Sequence, residues 1–492
     1  MGETMRTLFK KKDIEECLHC KTTGEKLKRT LGPFQLIIMG IGAIIGAGIF
    51  IVTGIGSATS GPSLIISFII AALACSLTAL CYAEMASMIT VTGGIYTYTQ
   101  VTIGEIGAWI IGWTSILQYI IAGASVAIGW SSYVVGFLAS MGMALPVFLT
   151  SSPLNGAGMI NLPAFLIIVV LSAILIKGTQ ESAKINAFFV FIKLAVILLF
   201  VVVGYQFINP ANYHPFAPHG ISGIFQGAAI VFFAYIGFDT IASAAEETKN
   251  PQRALPIGII CSLAVCSLIY IVVTGVMNGM VNFSMFANSE APIMLALQSV
   301  GANWATTIIT IGAIAGLTTV ILVNLFVVPR LIFAMSRDEL LPKKLTHVHS
   351  KFNSPAISII LVGGISALVA AFLPMGDIFE LVNIAALSAF IFLAISVIYL
   401  RKSHPHIPRK FKCPLVPIIP VASIIACLAL ITQLTFLTIK IFAVWLILGL
   451  VVYFAYRKYK NSRKEDDKEV EMGETDDAIV LGALIPEKET GK

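Results

Sequence analysis

Apolar residues run along this chain in blocks of about twenty, the length an α-helix needs to cross the hydrocarbon core of a bilayer. The blocks fall at 34–57, 62–88, 106–136, 162–177, 186–208 and 222–244, and again at 256–279, 302–336, 355–373, 378–400, 414–437 and 441–457. Twelve membrane spans are predicted. Two of them are interrupted by glycine near their middles. Span 1 reads Gly42-Ala43-Ile44-Ile45-Gly46-Ala47-Gly48-Ile49-Phe50, and span 6 reads Phe232-Phe233-Ala234-Tyr235-Ile236-Gly237-Phe238-Asp239. Unwinding a helix in hydrocarbon bares amides and carbonyls at a cost of several kcal/mol each. Such breaks persist where they face a ligand. A pair at matching places of a repeated helical fold points to a substrate and ion site near the bilayer midplane.

The spacing also predicts a duplication. Residues 34–208 hold five spans and residues 222–400 the next five, each set opening on its broken helix, and an odd count turns the second copy over. The fold class expected is an all-α integral membrane protein with a five-plus-five inverted repeat. Spans 11 and 12 are appended at 414–457, between an amino tail at 1–33 and a carboxyl tail at 458–492. That last tail mixes both charge signs with few large apolar residues and is expected to be mobile.

Charge sets the orientation. All but two of the 32 Lys and Arg residues lie in the tails or in even-numbered connections, which the positive-inside rule places in the cytoplasm. Both termini are therefore expected inside the cell, with the protein in the plasma membrane. A mean hydropathy of +0.90 and a charged fraction of 12% exclude an ordinary soluble domain. The net charge of +6 follows from the same rule and from anionic inner-leaflet lipid, and does not indicate nucleic-acid binding. The basic run from Arg457 to Lys464 is explained the same way. The first apolar block is too long for a signal-peptide core, so span 1 is expected to stay.

Metal and covalent chemistry find little support. None of the eight cysteines falls in a predicted outer connection, so structural disulfides are not expected. Cys17-Leu18-His19-Cys20 has the spacing of half a zinc site but no second pair nearby, and a pair of reduced thiols is the better reading. His347 and His349 lack the helical spacing of a zinc hydrolase, and the other histidines lie in tails or loops. No cofactor, metal or enzymatic activity is expected.

The breaks suggest what is bound. Amides of Gly46, Ala47 and Gly48, beside Ile44, open a half-helix whose positive dipole end favours a carboxylate. Close helix packing through Gly42 and Gly46 is the alternative, and the second broken helix favours the site. In span 6, carbonyls of Phe233, Ala234 and Ile236 suit a protonated α-amino group. Lys193 is the most unusual residue, because a lysine in mid-membrane costs roughly 2.5–3.5 kcal/mol. It either snorkels to the interface or sits at the span 1 break, where a buried lysine can exchange a proton. Asn324 in span 8 either bonds a substrate side chain or ties span 8 to its neighbour.

Four stretches carry a family resemblance. FFAYIGFDTIASAAEETKNPQRALPIGII at 232–260, GAIIGAGIF at 42–50, CYAEMA at 81–86 and SRDELLP at 336–342 resemble the cationic amino acid transporter branch of the amino acid-polyamine-organocation superfamily. The likeness runs from Leu27 to Tyr456. It implies the twelve-helix permease fold and makes Phe233 an aromatic lid. It sets Lys193 at the position associated with proton coupling, where sodium-driven relatives hold an ion, and it has Asn324 lining the side-chain pocket. Many relatives carry a small hydroxyl residue where Ala47 stands. Some bacterial ones carry an acid where Gln118 stands, so a proton route through span 3 is in doubt. Glu84 and Asp239, inside family motifs, are expected at an inner gate near Glu246, Glu247, Lys249, Arg253, Arg330 and Arg337. No intramembrane carboxylate faces a cationic side chain, so the family name does not establish a cationic substrate.

The expected function is import of L-amino acids coupled to protons, by alternating access. An exchanger or polyamine carrier of the same fold is the alternative, followed by a non-transporting amino acid receptor. The partners expected are the amino acid, protons and the lipid bilayer.

Overall fold

The computed structural model describes residue 11 and residues 31–89, 94–155, 158–177, 183–287, 289–346 and 354–483. The Cys17 and Cys20 pair lies outside these. Among the described residues the chain is almost wholly helical, with two isolated β-bridges, Leu31 to Thr248 and Thr150 to Asn161.

Span 1 is two helices, α1 (Pro33–Ile44) and α2 (Thr53–Ser60), joined by an irregular turn. Gly61-Pro62 then reverses the chain into α3 (Leu64–Met88). A short helix, α4 (Gly94–Thr102), precedes α5 (Glu105–Ser140), α6 (Leu162–Ile176) and α7 (Ala183–Tyr205). Span 6 starts as α8 (Gly220–Val231), tightens over Phe232–Tyr235 and resumes at Phe238–Glu247. Then follow α9 (Pro251–Met280), α10 (Pro292–Ser299), α11 (Asn303–Arg337), α12 (Ala356–Phe372), α13 (Met375–Ser403), α14 (Ile418–Ile431) and α15 (Phe436–Ala483).

Among the described residues eight stretches are long and apolar enough to cross a membrane, the first of them, Pro33–Met88, long enough to do so twice. Three apolar helices are shorter, α6, α12 and α14. With these the twelve predicted blocks all have a helical counterpart. The connecting helices α4 and α10 are additions that no twenty-residue apolar block announces.

The polarity of this bundle is that of a membrane protein. Large apolar side chains such as Leu73, Leu198, Leu268 and Val444 point outward at 62–65% exposure, where lipid tails solvate them. Thr, Ser and Asn side chains lie inside, and small residues let helices approach closely. At the centre, α5 packs on α11 and α13, and α9 on α1 and α3. Helix α15 is seated on α5 by stacked indoles: Trp113 lies 4.6 Å from Trp445 and 5.7 Å from Trp109. Helix α15 continues to Ala483, past the apolar span, through residues whose Glu and Lys lower hydrophobicity but are also good helix formers.

Candidate substrate site

The two breaks face each other. At the first, α1 ends at Ile44, Ile45 turns to an extended conformation, and a wide helical turn resumes over Gly48–Val52. Within that turn the Ile49 and Phe50 amides bond the Gly46 carbonyl at 3.2 Å, so it is the amides before them that open the resumed helix. At the second, Gly237 takes φ +128°, a conformation that side chains rarely adopt. A Cβ there would sit 2.8 Å from the Ala43 carbonyl oxygen. Gly48 is equally constrained, since its Cβ would fall 2.6 Å from the Ala234 Cα. Glycine at these positions lets one broken backbone pass directly against the other. Gly46 answers the packing question as well, for its Cβ would strike Val320 of α11 while the residue still faces the cavity.

Between the breaks lies a cavity of about 50 Å3. Its walls include Ile44, Gly46, Ala47, Gly48, Phe233, Ile236 and Asn324, with Gly237 of the second break and Val320 and Val323 of the span 8 stretch that ends at Asn324, and also Tyr119, Ala122 and Thr240, which the sequence did not single out. None of its lining residues carries a formal charge. At ~15 Å3 per water the space holds about three waters, so a larger guest requires the two breaks to move apart.

One anticipated residue is placed differently. Ala234 does not line the cavity. Its carbonyl accepts a hydrogen bond of 2.8 Å from Tyr270 Oη of α9, which lies the same distance from the Ile44 carbonyl oxygen. One phenolic proton is thus shared between the two breaks, and the Ala234 carbonyl turns to α9 rather than to the cavity. The Phe233 carbonyl accepts the Ile236 amide at 3.1 Å, and the Phe233 ring packs edge-on against Phe379 at 4.6 Å.

Lys193 does not snorkel. The side chain is buried, packs against Gly316 of α11, and reaches the first break, where Nζ donates to the carbonyls of Gly42 at 3.1 Å and Ile45 at 3.2 Å. Those are carbonyls that α1 would have bonded had it continued, so the ammonium takes the place of the missing turn.

Asp239 anchors the second break. Oδ2 accepts from Tyr119 Oη at 2.9 Å and Oδ1 accepts the Gly237 amide at 3.2 Å, fastening the resumed helix to α5. Asn324 Nδ2 donates to the Val320 carbonyl of its own helix at 2.9 Å and makes no described bond to a neighbouring helix. Gln118 is buried one residue before Tyr119.

Glu84 lies elsewhere. It was expected beside the cations between Lys249 and Arg337, but its carboxylate receives both a bidentate Arg401 guanidinium, at 2.8 and 2.9 Å, and the Cys413 amide at 2.8 Å. Arg409 Nε stands 3.2 Å from the same carboxylate. The group is 2% exposed, so losing it would leave two cations without their shared counter-charge. Arg330 instead lies over the Phe326 ring at 3.3 Å. The side chains of Glu246 and Glu247 are outside the described set.

Two opposed helix breaks flank a small uncharged cavity in a bundle of apolar helices, and the chain matches the amino acid permease family over residues 31–454. It belongs to that family. Among known relatives it is 48% identical to the branched-chain amino acid permease BcaP of Bacillus subtilis (strain 168), across 92% of this chain and 98% of that one. It is 45% identical to the methylthioribose transporter of the same organism, with the same coverage. It is also 41% identical to the chloroplastic cationic amino acid transporter 9 of Arabidopsis thaliana, across 67% of this chain and 58% of that one. These proteins are permeases and transporters by name, which sets the class of this chain as a multi-pass membrane transporter.

Proposed function

We propose that this protein imports neutral amino acids with apolar side chains, driven by protons, by alternating access. In this reading the carboxylate of the substrate meets the amides that open the resumed half of span 1, where the dipole is positive. Its ammonium meets carbonyls of Phe233 and Ile236. The single observation that carries the choice of side chain is the lining of the cavity: Ala122, Val320, Val323 and Phe233 offer dispersion contacts, and no acid is present to pair with a cationic side chain. An unpaired buried charge would cost far more than a methyl group could return.

The coupling follows from Lys193. Protonated, it holds the carbonyls of Gly42 and Ile45; once the proton leaves, that grip on span 1 loosens and the first repeat is free to move against the second. The two sets of five spans are read as inverted copies, which is the arrangement that lets one bundle rock about a central site. Both termini are placed in the cytoplasm and the protein in the plasma membrane, in keeping with its basic connections.

Uptake into proteoliposomes with an inward proton gradient tests this directly. Leucine, isoleucine and valine should accumulate, while arginine and putrescine should not, and an uncoupler should abolish the accumulation. Methylthioribose is the sharpest competitor, because it too is uncharged and a relative of nearly equal identity is named for it. Accumulation of that sugar in preference to leucine would overturn the amino acid reading, and leucine transport that needs internal substrate would replace import with exchange.

A further inference from the structure

The connection between α13 and α14 lines an open pocket of about 440 Å3, apart from the cavity between the two breaks. Arg401, His406, Arg409 and Lys412 line it, together with Pro405 and Pro408. Its frame is built. The Arg409 side chain is only 4% exposed. Its Nη1 donates to the carbonyls of Pro405 and Ile407, and its Nη2 to those of Leu400 and His404, at 2.9–3.2 Å. One guanidinium thereby folds the whole loop around itself. Arg401 is held by Glu84 and by the Cys413 carbonyl.

The charges do not balance. Two guanidinium groups share the single Glu84 carboxylate, and Lys412 adds a third cation. Lys412 and His406 make no hydrogen bond or ion pair with another described residue, and both are exposed. Arg409 spends its Nη donors on the loop and contributes charge alone, while Lys412, His406 and the Arg401 Nη1, for which no bond is described, are left to donate to a phosphate group drawn by that excess of positive charge. The apolar surroundings narrow the source. Leu415 and Ile418 directly follow the pocket at 69% and 64% exposure, and Val421 and Ile425 continue the stripe along α14 at helical spacing. A soluble anion has no use for that stripe, whereas acyl chains do.

We propose that this pocket holds the headgroup of an anionic phospholipid of the inner leaflet, with its acyl chains along Leu415, Ile418 and Ile425. Because Arg401 and Arg409 also grip Glu84 of α3, the bound headgroup steadies the junction of α3, α13 and α14.

The test measures thermal unfolding of the purified protein in detergent, with retained lipid followed by native mass spectrometry. Phosphatidylglycerol should raise the midpoint by several degrees in a saturable way, and phosphatidylcholine should not. Lys412→Gln should lose most of that rise and most of the retained lipid. Lys410→Gln, on the same loop but outside the pocket, should keep both. Equal rises with the two lipids, or equal behaviour of the two variants, overturns the site. An equal rise with inorganic phosphate at matched concentration overturns the lipid and leaves a soluble anion as the ligand.

Discussion

Lys193→Ala is expected to yield a folded, inserted protein that no longer accumulates leucine against a gradient. The ammonium bonds two carbonyls at the first break. Hydrogen bonds from a charged donor contribute about 1.5–3 kcal/mol each, so their removal frees span 1 from one of its two end positions. The accumulation ratio in proteoliposomes should fall to about one under a proton gradient that drives the wild type strongly. Lys193→Arg separates charge from proton exchange. Guanidinium stays protonated at any physiological pH, so this variant should still bind leucine and should not acidify the lumen as leucine enters. Concentrative uptake by either variant at the wild-type level would remove Lys193 from the coupling mechanism.

The second large effect is expected at the other break. Gly237→Ala places a methyl group at φ +128° and 2.8 Å from a backbone oxygen of span 1 that has nowhere to retreat. Backbone strain of this kind costs on the order of 1–3 kcal/mol, and the close contact adds to it by pushing the breaks apart. Initial uptake of leucine should drop by about 10- to 100-fold, with a matching loss of leucine-induced thermal stabilisation. Gly301→Ala provides the comparison, because Gly301 also has a positive φ, +74°, but its Cβ would meet nothing within 4 Å. That variant should lose some stability and keep its uptake. If Gly237→Ala binds and transports leucine like the wild type, the two backbones do not need to touch.

Much of this architecture is legible from hydrophobic periodicity, because hydrocarbon admits few backbone solutions and each leaves a long apolar signal. Glycine-broken spans and a lone mid-membrane lysine stand out for the same reason: each violates the local rule for a lipid-buried helix. Tyr119 and Tyr270 do not stand out. A tyrosine within an apolar span reads as one more large side chain, and only the fold shows that its hydroxyl reaches Asp239 or bridges two carbonyls. Glu84 shows the same limit in another form. Its cations, Arg401 and Arg409, lie more than 300 positions further along the chain, and nearness in predicted depth picked out other candidates. Ala234 was expected at the substrate because its carbonyl belongs to the break, and only the fold shows that this carbonyl turns to Tyr270 of α9.

The measurement closest to the heart of this account compares ligands that share the leucine side chain but differ at the head. Thermal unfolding of the purified protein should shift upward with leucine, since a ligand that binds the folded state stabilises it. It should shift little with 3-methylbutylamine, which has lost the carboxylate, or with 4-methylpentanoate, which has lost the amine. That pattern means both ends of the dipolar head are gripped, one by each interrupted helix. If either single-headed analogue stabilises the protein as well as leucine does, one of the two breaks is not holding the substrate.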